Sequence, residues 1–243
     1  MPTCIACGQN SVCMNTKASI EQIRSRFDND VERFSRLETG QSSTVDAPLV
    51  MDLIARSVRE MYSGPRRLLD LGCGAGNFSV LLRRDFPHLE VTLVDLSRPM
   101  LDRAAERLGS CTAIQGDIRT ADWGGGYDIV VATAVLHHLR EDAEWDFVFR
   151  KIHACLAPGG SFWVADLISH ELPGVQRVMW QRYGEYLEQL KGPAYRDHVF
   201  EYVEFEDTPK PLTFQLDLLR QAGFRSLDVL HKNTCFAAYC AVR

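Results

Sequence analysis

The residues able to do chemistry cluster at the ends of a few apolar runs. Leu68-Leu69-Asp70-Leu71 leads directly into Gly72-Cys73-Gly74-Ala75-Gly76-Asn77. A buried strand entering a glycine-rich turn that opens a helix lets bare backbone approach a ligand closely. The spacing is Gly-x-Gly-x-Gly, and Asn77 stands where the G-x-G-x-x-G fingerprint wants its third glycine, which disfavours a nicotinamide cofactor. Nineteen residues past Gly76, the run Val91 to Val94 ends in Asp95 and Leu96, an acid at a strand tip suited to accept hydrogen bonds from two ribose hydroxyls. A third run ends in Gly116-Asp117-Ile118, where the carboxylate could reach an adenine amino group. The fourth ends at Thr133 and continues into Ala134-Val135-Leu136-His137-His138.

These positions need elements to hold them, and the apolar periods supply them. Val45, Leu49, Leu53, Ile54, Val58 and Met61 share a helical face, which Gly64-Pro65 terminates before the first run. Strands of a buried kind recur at Val91 to Val94, Cys111 to Gln115, Ile129 to Thr133 and Phe162 to Asp166. Helix-period segments such as Trp145, Val148, Phe149, Ile152 and Leu156 lie between them. Strand and helix in alternation predict a parallel sheet with helices on both faces, and ligands at the carboxyl ends of the strands.

Two regions fall outside the alternation. Residues 1–44 form a predicted arm or lid, with Ile20, Ile23, Phe27, Val31 and Phe34 on one helical stripe. Residues 169–211 are aromatic-rich and punctuated by Pro173-Gly174, Gly192-Pro193, Pro209 and Pro211; they are expected to form a mostly helical insertion that builds a substrate wall. A last helix, Leu212 to Ala222, stops at Gly223, and the runs Ser226 to Leu230 and Cys235 to Val242 predict an antiparallel hairpin at the sheet edge. The expected organisation is therefore an arm over 1–44 and one domain over 45–243.

Composition narrows the function classes. With 27 basic and 32 acidic side chains among 243 residues, the formal charge is −5, so no chain-wide positive field draws in nucleic acid. No apolar run reaches membrane-span length and Met1 to Thr16 lacks a leader layout, so a cytosolic location and no membrane partner are expected. Cys73, Cys111, Cys155, Cys235 and Cys240 lie in apolar segments, the usual setting of a core thiol. Cys4-x-x-Cys7 with Cys13 offers three thiolates to zinc but no fourth ligand until Cys73 and His88, and no metal site is assigned.

Five segments in order, LLDLGCGAG, VTLVDLS, GDI, YDIVVATAVLHHL and LAPGGSFWVADL, resemble the class I S-adenosylmethionine-dependent methyltransferases over residues 45–243. The resemblance implies a Rossmann-like seven-stranded sheet in which the terminal hairpin inserts the one antiparallel strand. It also implies S-adenosyl-L-methionine as cofactor and a small-molecule acceptor methylated in line. Carried over by position, Asp70, Gly72, Gly74 and Thr133 would surround the methionine part, Asp95 and Leu96 the ribose and adenine, and Asp117 with Ile118 the adenine edge. A base is needed only for a hydroxyl or ammonium acceptor, and His137, His138 and His170 are candidates because their charge changes near neutral pH. Tyr183, Tyr186, Tyr195 and Arg196 could bind an aromatic or carboxylated acceptor, or could close the insertion's own core.

Other readings differ from this one. The arm, Tyr195-Arg196 and Phe236-Ala237-Ala238 are distantly similar to carboxy-S-adenosylmethionine synthases, a resemblance that would give Arg196 the carboxylated cofactor. A non-catalytic partner subunit that keeps the fold, or a nicotinamide-binding protein, stands further off, against the intact Asp95 and the missing glycine at position 77. Oligomeric state and the acceptor atom are not encoded in any feature of the chain.

Overall fold

The computed structural model describes residues 17–36 and 41–243; Cys4, Cys7 and Cys13 lie outside them. Its centre is one sheet of strands β1 (Arg67–Leu71), β2 (Glu90–Asp95), β3 (Thr112–Gln115), β4 (Tyr127–Thr133), β5 (Leu156–Leu167), β6 (Ser226–Asn233) and β7 (Phe236–Val242), in the order β3-β2-β1-β4-β5-β7-β6. β7 pairs antiparallel with both β5 and β6, and the other pairings are parallel. The hairpin thus inserts the lone antiparallel strand, as expected.

Alternation along each strand builds two cores. Leu69, Val130, Phe162 and Tyr239 point to one face, where α6 (Asp142–Cys155) and α9 (Leu212–Ala222) cover them. Leu68, Val131, Trp163 and Ala238 point to the other, under α3 (Ala47–Met61), α4 (Asn77–Asp85) and α5 (Arg98–Leu108). A sheet buried on both faces needs apolar residues at successive positions, which is why these strands read as continuous runs. The predicted strand from Cys111 departs from this. β3 begins at Thr112 and sits at the sheet edge with Thr112 and Ala113 exposed, because helices cover only one side of an edge strand well. Residues 157–160 bulge out of β5: Tyr127 pairs with Leu156 and Ile129 with Ser161.

The expected arm stripe is two helices. α1 (Ile20–Asn29) begins on a capping box between Ser19 and Gln22, and α2 (Val31–Phe34) follows a break at Asp30, whose carboxylate pairs with Arg33 at 2.7 Å. Ile20, placed on the apolar stripe by spacing, is 46% exposed, while Ile23 is buried. The insertion is helical as expected: α7 (Pro173–Lys191) and α8 (Pro193–Glu206) pack on each other through Tyr183, Leu187, Val199 and Val203. Among the described residues, no helix is long and apolar enough to cross a membrane.

Parallel register brings the strand ends to one edge. Leu71 lies opposite Val94 and Ala132, so the loops after β1, β2 and β4 open side by side. The turn after β1 is tight: Gly72 donates its N–H to the Val94 carbonyl at 2.8 Å with φ +64°, and a Cβ built there would lie 2.5 Å from Val135 Cγ2. Gly72→Ala is therefore expected to lower unfolding stability by about 1–3 kcal/mol. Urea denaturation measures this, and adding Val135→Ala should recover the overlap portion but not the φ portion. An unchanged midpoint in the single variant would contradict the close approach.

Candidate active site

A cavity of about 540 Å³ opens above this edge, lined by Gly72, Gly74, Asp95, Leu96, Asp117, Ile118 and Thr133 at one end and by His137, His138 and Asp207 at the other. Of the residues expected to hold the cofactor, only Asp70 stands behind the wall. It is buried, accepts from Ser79 Oγ at 2.5 Å through Oδ2, and has no hydrogen bond at Oδ1. Burial raises its pKa to about 7, opposed by the Ser79 hydrogen bond and aided by Asp95.

Asp95 ties two loops together. Oδ2 accepts from Gly74 N at 2.8 Å and Oδ1 from Ser97 N at 2.8 Å, and the residue lines the cavity. Burial pushes its pKa up to about 6, against the hydrogen bonds from Ser97 and Gly74. Gly74 has φ +49° and open space where a Cβ would stand, so bare backbone faces the cavity. Asp117 reaches the cavity already clamped: Arg119 donates from its backbone at 2.8 Å and from Nε at 2.9 Å. Although burial works the other way, these bonds hold its carboxyl below the usual range. A backbone-tied acid, bare peptide at Gly74 and the clamped Asp117 thus line this end of the cavity.

The other end is ionic in a way the sequence reading missed. Asp166, at the tip of β5, accepts from the backbone of Val135 at 3.2 Å, Leu136 at 2.7 Å and Leu167 at 2.6 Å, and its Oδ1 meets His137 Nδ1. The chain turns toward it through Ala134, held at φ 53°. Asp207, just past α8, puts Oδ1 3.6 Å from His137 Nε2 and 3.2 Å from His138 Nδ1. Burial disfavours charge on His137, but Asp166 and then Asp207 outweigh it, and its pKa is pushed up to about 9. Burial and then the charge of His137 press His138 below the usual imidazole value. The two imidazoles are thus pushed in opposite directions, His137 toward holding its proton and His138 toward losing it. The one trace of this in the sequence was an acid inside the apolar run of β5; Asp207 gave none.

The arm covers the cavity. Ala18 N donates to the Phe205 carbonyl at 2.8 Å, Arg26 Nε donates to both oxygens of Glu206 at 2.7 and 2.8 Å, and Asn77 Nδ2 donates to the Phe34 carbonyl at 2.9 Å. Ile23, Phe27 and Phe34 thereby face the cavity, with Tyr183, Tyr202, Val203 and Phe236 across from them. Arg196 and Tyr195 are not among the lining residues. Arg196 is on the outside of α8, paired with Glu188 at 3.0 Å and Asp197 at 2.8 Å, and Tyr195 packs on the insertion's core. Tyr186 donates to the Ser42 carbonyl at 2.8 Å, and His170 contacts Gln176 away from the cavity.

Known proteins share both the sheet and the sequence around this edge. Residues 69–162 match the family described as a methyltransferase domain. A trans-aconitate 2-methyltransferase of Rhodopseudomonas palustris (strain BisA53) is 33% identical over 176 residues, 68% of this chain and 64% of that protein. Another, of Acidovorax sp. (strain JS42), is 38% identical over 104 residues, 42% of this chain and 38% of that protein. The chain thus spans less than two thirds of the length of these relatives. The structure of human N-acetylserotonin methyltransferase in complex with SAM superposes with a TM-score of 0.61, over 95% of this chain and 63% of that one, at 17% identity, which speaks to the fold. These likenesses support a class I S-adenosylmethionine-dependent methyltransferase, with the methyltransferase-domain match confined to residues 69–162.

The raised pKa of Asp70 carries a stability consequence. The protonated form is favoured by folding, so its contribution is full below about pH 4 and is lost as pH rises through about 7. Asp70→Asn, which cannot ionise, is expected to gain about 2–3 kcal/mol relative to the parent between pH 5 and pH 8. Parallel denaturation curves at the two pH values would show that Asp70 does not titrate in this range.

Proposed function

We propose that this chain binds S-adenosylmethionine in the cavity and transfers its methyl group in line to a small, largely apolar acceptor seated against His137, His138 and Asp207. The observation that carries this reading is the continuity of one covered space from Gly74 and Asp95 to His138 and Asp207. When bound, the cofactor supplies a methyl carbon made electrophilic by its sulfonium. The chain's part is to orient and to exclude water. Asp95 accepts from the ribose hydroxyls, Leu96, Asp117 and Ile118 border the adenine, and Gly72, Gly74 and Thr133 border the methionine part with Asp70 behind them. Phe27, Phe34 and Ile23 close the space from above. His138, whose charged form is disfavoured by burial and by His137, is the base available to a protic acceptor.

The charge pattern bears on the acceptor. The arginines facing the cavity are engaged: Arg26 with Glu206, Arg33 with Asp30, Arg119 with Asp117 and Glu144, and Arg140 with Thr208 and the Ala18 carbonyl. Asp166 and Asp207 add carboxylates at the acceptor end. This favours an acceptor that is uncharged there over a carboxylated one such as trans-aconitate. The synthase-like alternative rested on Arg196, which stands outside the cavity on α8.

Calorimetry with S-adenosylmethionine tests the cofactor half. Asp95→Ala should weaken binding by about 2–3 kcal/mol, the cost of unpaired polar groups. Affinity of the parent should also fall as pH is lowered through about 6, because the protonated acid loses acceptor capacity toward the ribose. Binding of NAD instead, or pH-independent affinity with an unaffected Asp95→Ala, would overturn the assignment. Turnover of a panel of phenols and amines beside trans-aconitate tests the acceptor half, and preference for the polycarboxylate would sink it.

A further inference from the structure

The acceptor end contains more ionic capacity than proton transfer alone requires. Among the described residues, His137, His138 and Asp207 form the group whose donor atoms, one from each, all lie within 4.8 Å of one another. Asp207 is 4% exposed, yet its Oδ1 receives no hydrogen bond, and neither ring nitrogen of His138 makes one. Buried polar atoms without partners are costly, and Asp207 Oδ1 and one His138 nitrogen lie together beside His137 Nε2, where an ion could satisfy them.

The geometry points to a divalent transition-metal site at His137, His138 and Asp207, opening into the cavity. Three features fit it. First, the spacings of 3.6 Å from His137 Nε2 and 3.2 Å from His138 Nδ1 to Asp207 Oδ1 are those of atoms sharing one ion, since ligands about 2.1 Å from a metal lie about 3–4 Å apart. Second, His137 offers Nε2 because Nδ1 is held by Asp166, which the backbone N–H groups of Val135, Leu136 and Leu167 fix in place. A carboxylate behind a ligating imidazole is the usual outer support of such sites. Third, the Arg26 guanidinium pairs with Glu206 at 2.6 Å and the Lys17 ammonium donates to the backbone carbonyl of Asp207, so the interactions of both lie off Asp207 Oδ1.

Two imidazoles and one carboxylate suit zinc, iron, cobalt or nickel better than magnesium or calcium. Three protein ligands leave coordination positions for water or for an oxygen of the acceptor. This step rests on the proposed acceptor position. With an ion present, His138 is a ligand and not a base, and the ion lowers the pKa of a coordinated acceptor hydroxyl directly. The acceptor class narrows accordingly to molecules presenting a hydroxyl or vicinal oxygens beside an apolar body.

The full chain, freed of metal with a chelator and dialysed, is titrated with Co(II) while calorimetry and the visible spectrum are recorded. The expected result is saturable binding with the ligand-field bands of a nitrogen and oxygen site and no thiolate charge-transfer band, which separates this site from the N-terminal cysteines. His138→Ala and Asp207→Asn should each weaken that binding at least tenfold, with circular dichroism and melting temperature reporting that the variants fold. Asp166→Asn should weaken it by about 10–100-fold through the outer support. Absence of binding, a thiolate-only spectrum, or nitrogen and oxygen bands unchanged in folded His138→Ala would each overturn the proposal. S-adenosylmethionine binding measured on the same samples keeps the two readings apart: it survives if only the metal site is wrong, and is missing if the cofactor assignment is wrong.

Discussion

The site depends on carboxylates buried at the carboxyl ends of parallel strands. Asp95 and Asp166 each end a strand or nearly so, and each is held by backbone N–H groups from adjoining loops. A carboxylate in that position organises the loops that meet it, because those loops leave N–H groups the strands cannot satisfy. Asp95 joins the turn after β1 to the turn after β2. Asp166 draws the segment after β4 inward and orients His137. Both remain costly to bury, and the raised pKa of Asp95 reports that cost. A ligand that donates hydrogen bonds to Asp95 recovers part of it, so the fold is poised for a polyhydroxyl ligand before one arrives.

How much of this was legible in the sequence follows from how local each feature is. The strand runs and the glycine turn are local patterns, and β1, β2, β4 and the terminal hairpin fall where periodicity put them. Asp95 was legible because its distance from Gly76 reflects one strand, one helix and a second strand of ordinary length. The break between α1 and α2 was not, since the stripe through Ile20, Ile23, Phe27, Val31 and Phe34 continues in register across Asp30. Arg196 shows the opposite error. Its residue type suited an anionic ligand, but the facing of α8 is decided by Val199 and Val203 packing against α7, which turns Arg196 toward Glu188.

Asp207 was the hardest residue to foresee because its role comes from contacts far apart in the chain. The His137 carbonyl accepts from Thr208 N at 2.7 Å, and Lys17 donates to the Asp207 carbonyl at 2.6 Å. The end of α8 is therefore pinned between the arm and the turn after β4, and the carboxylate is delivered to the histidines by that pinning. Arm, insertion and sheet edge each supply part of the acceptor end. The sheet edge is the portion with a sequence signature, since its strand runs and glycine turn are local patterns. On the proposed reading, the acceptor's shape is set by the arm and the insertion, between Ser19 and Phe34 and between Tyr183 and Asp207, while the strand ends serve the cofactor.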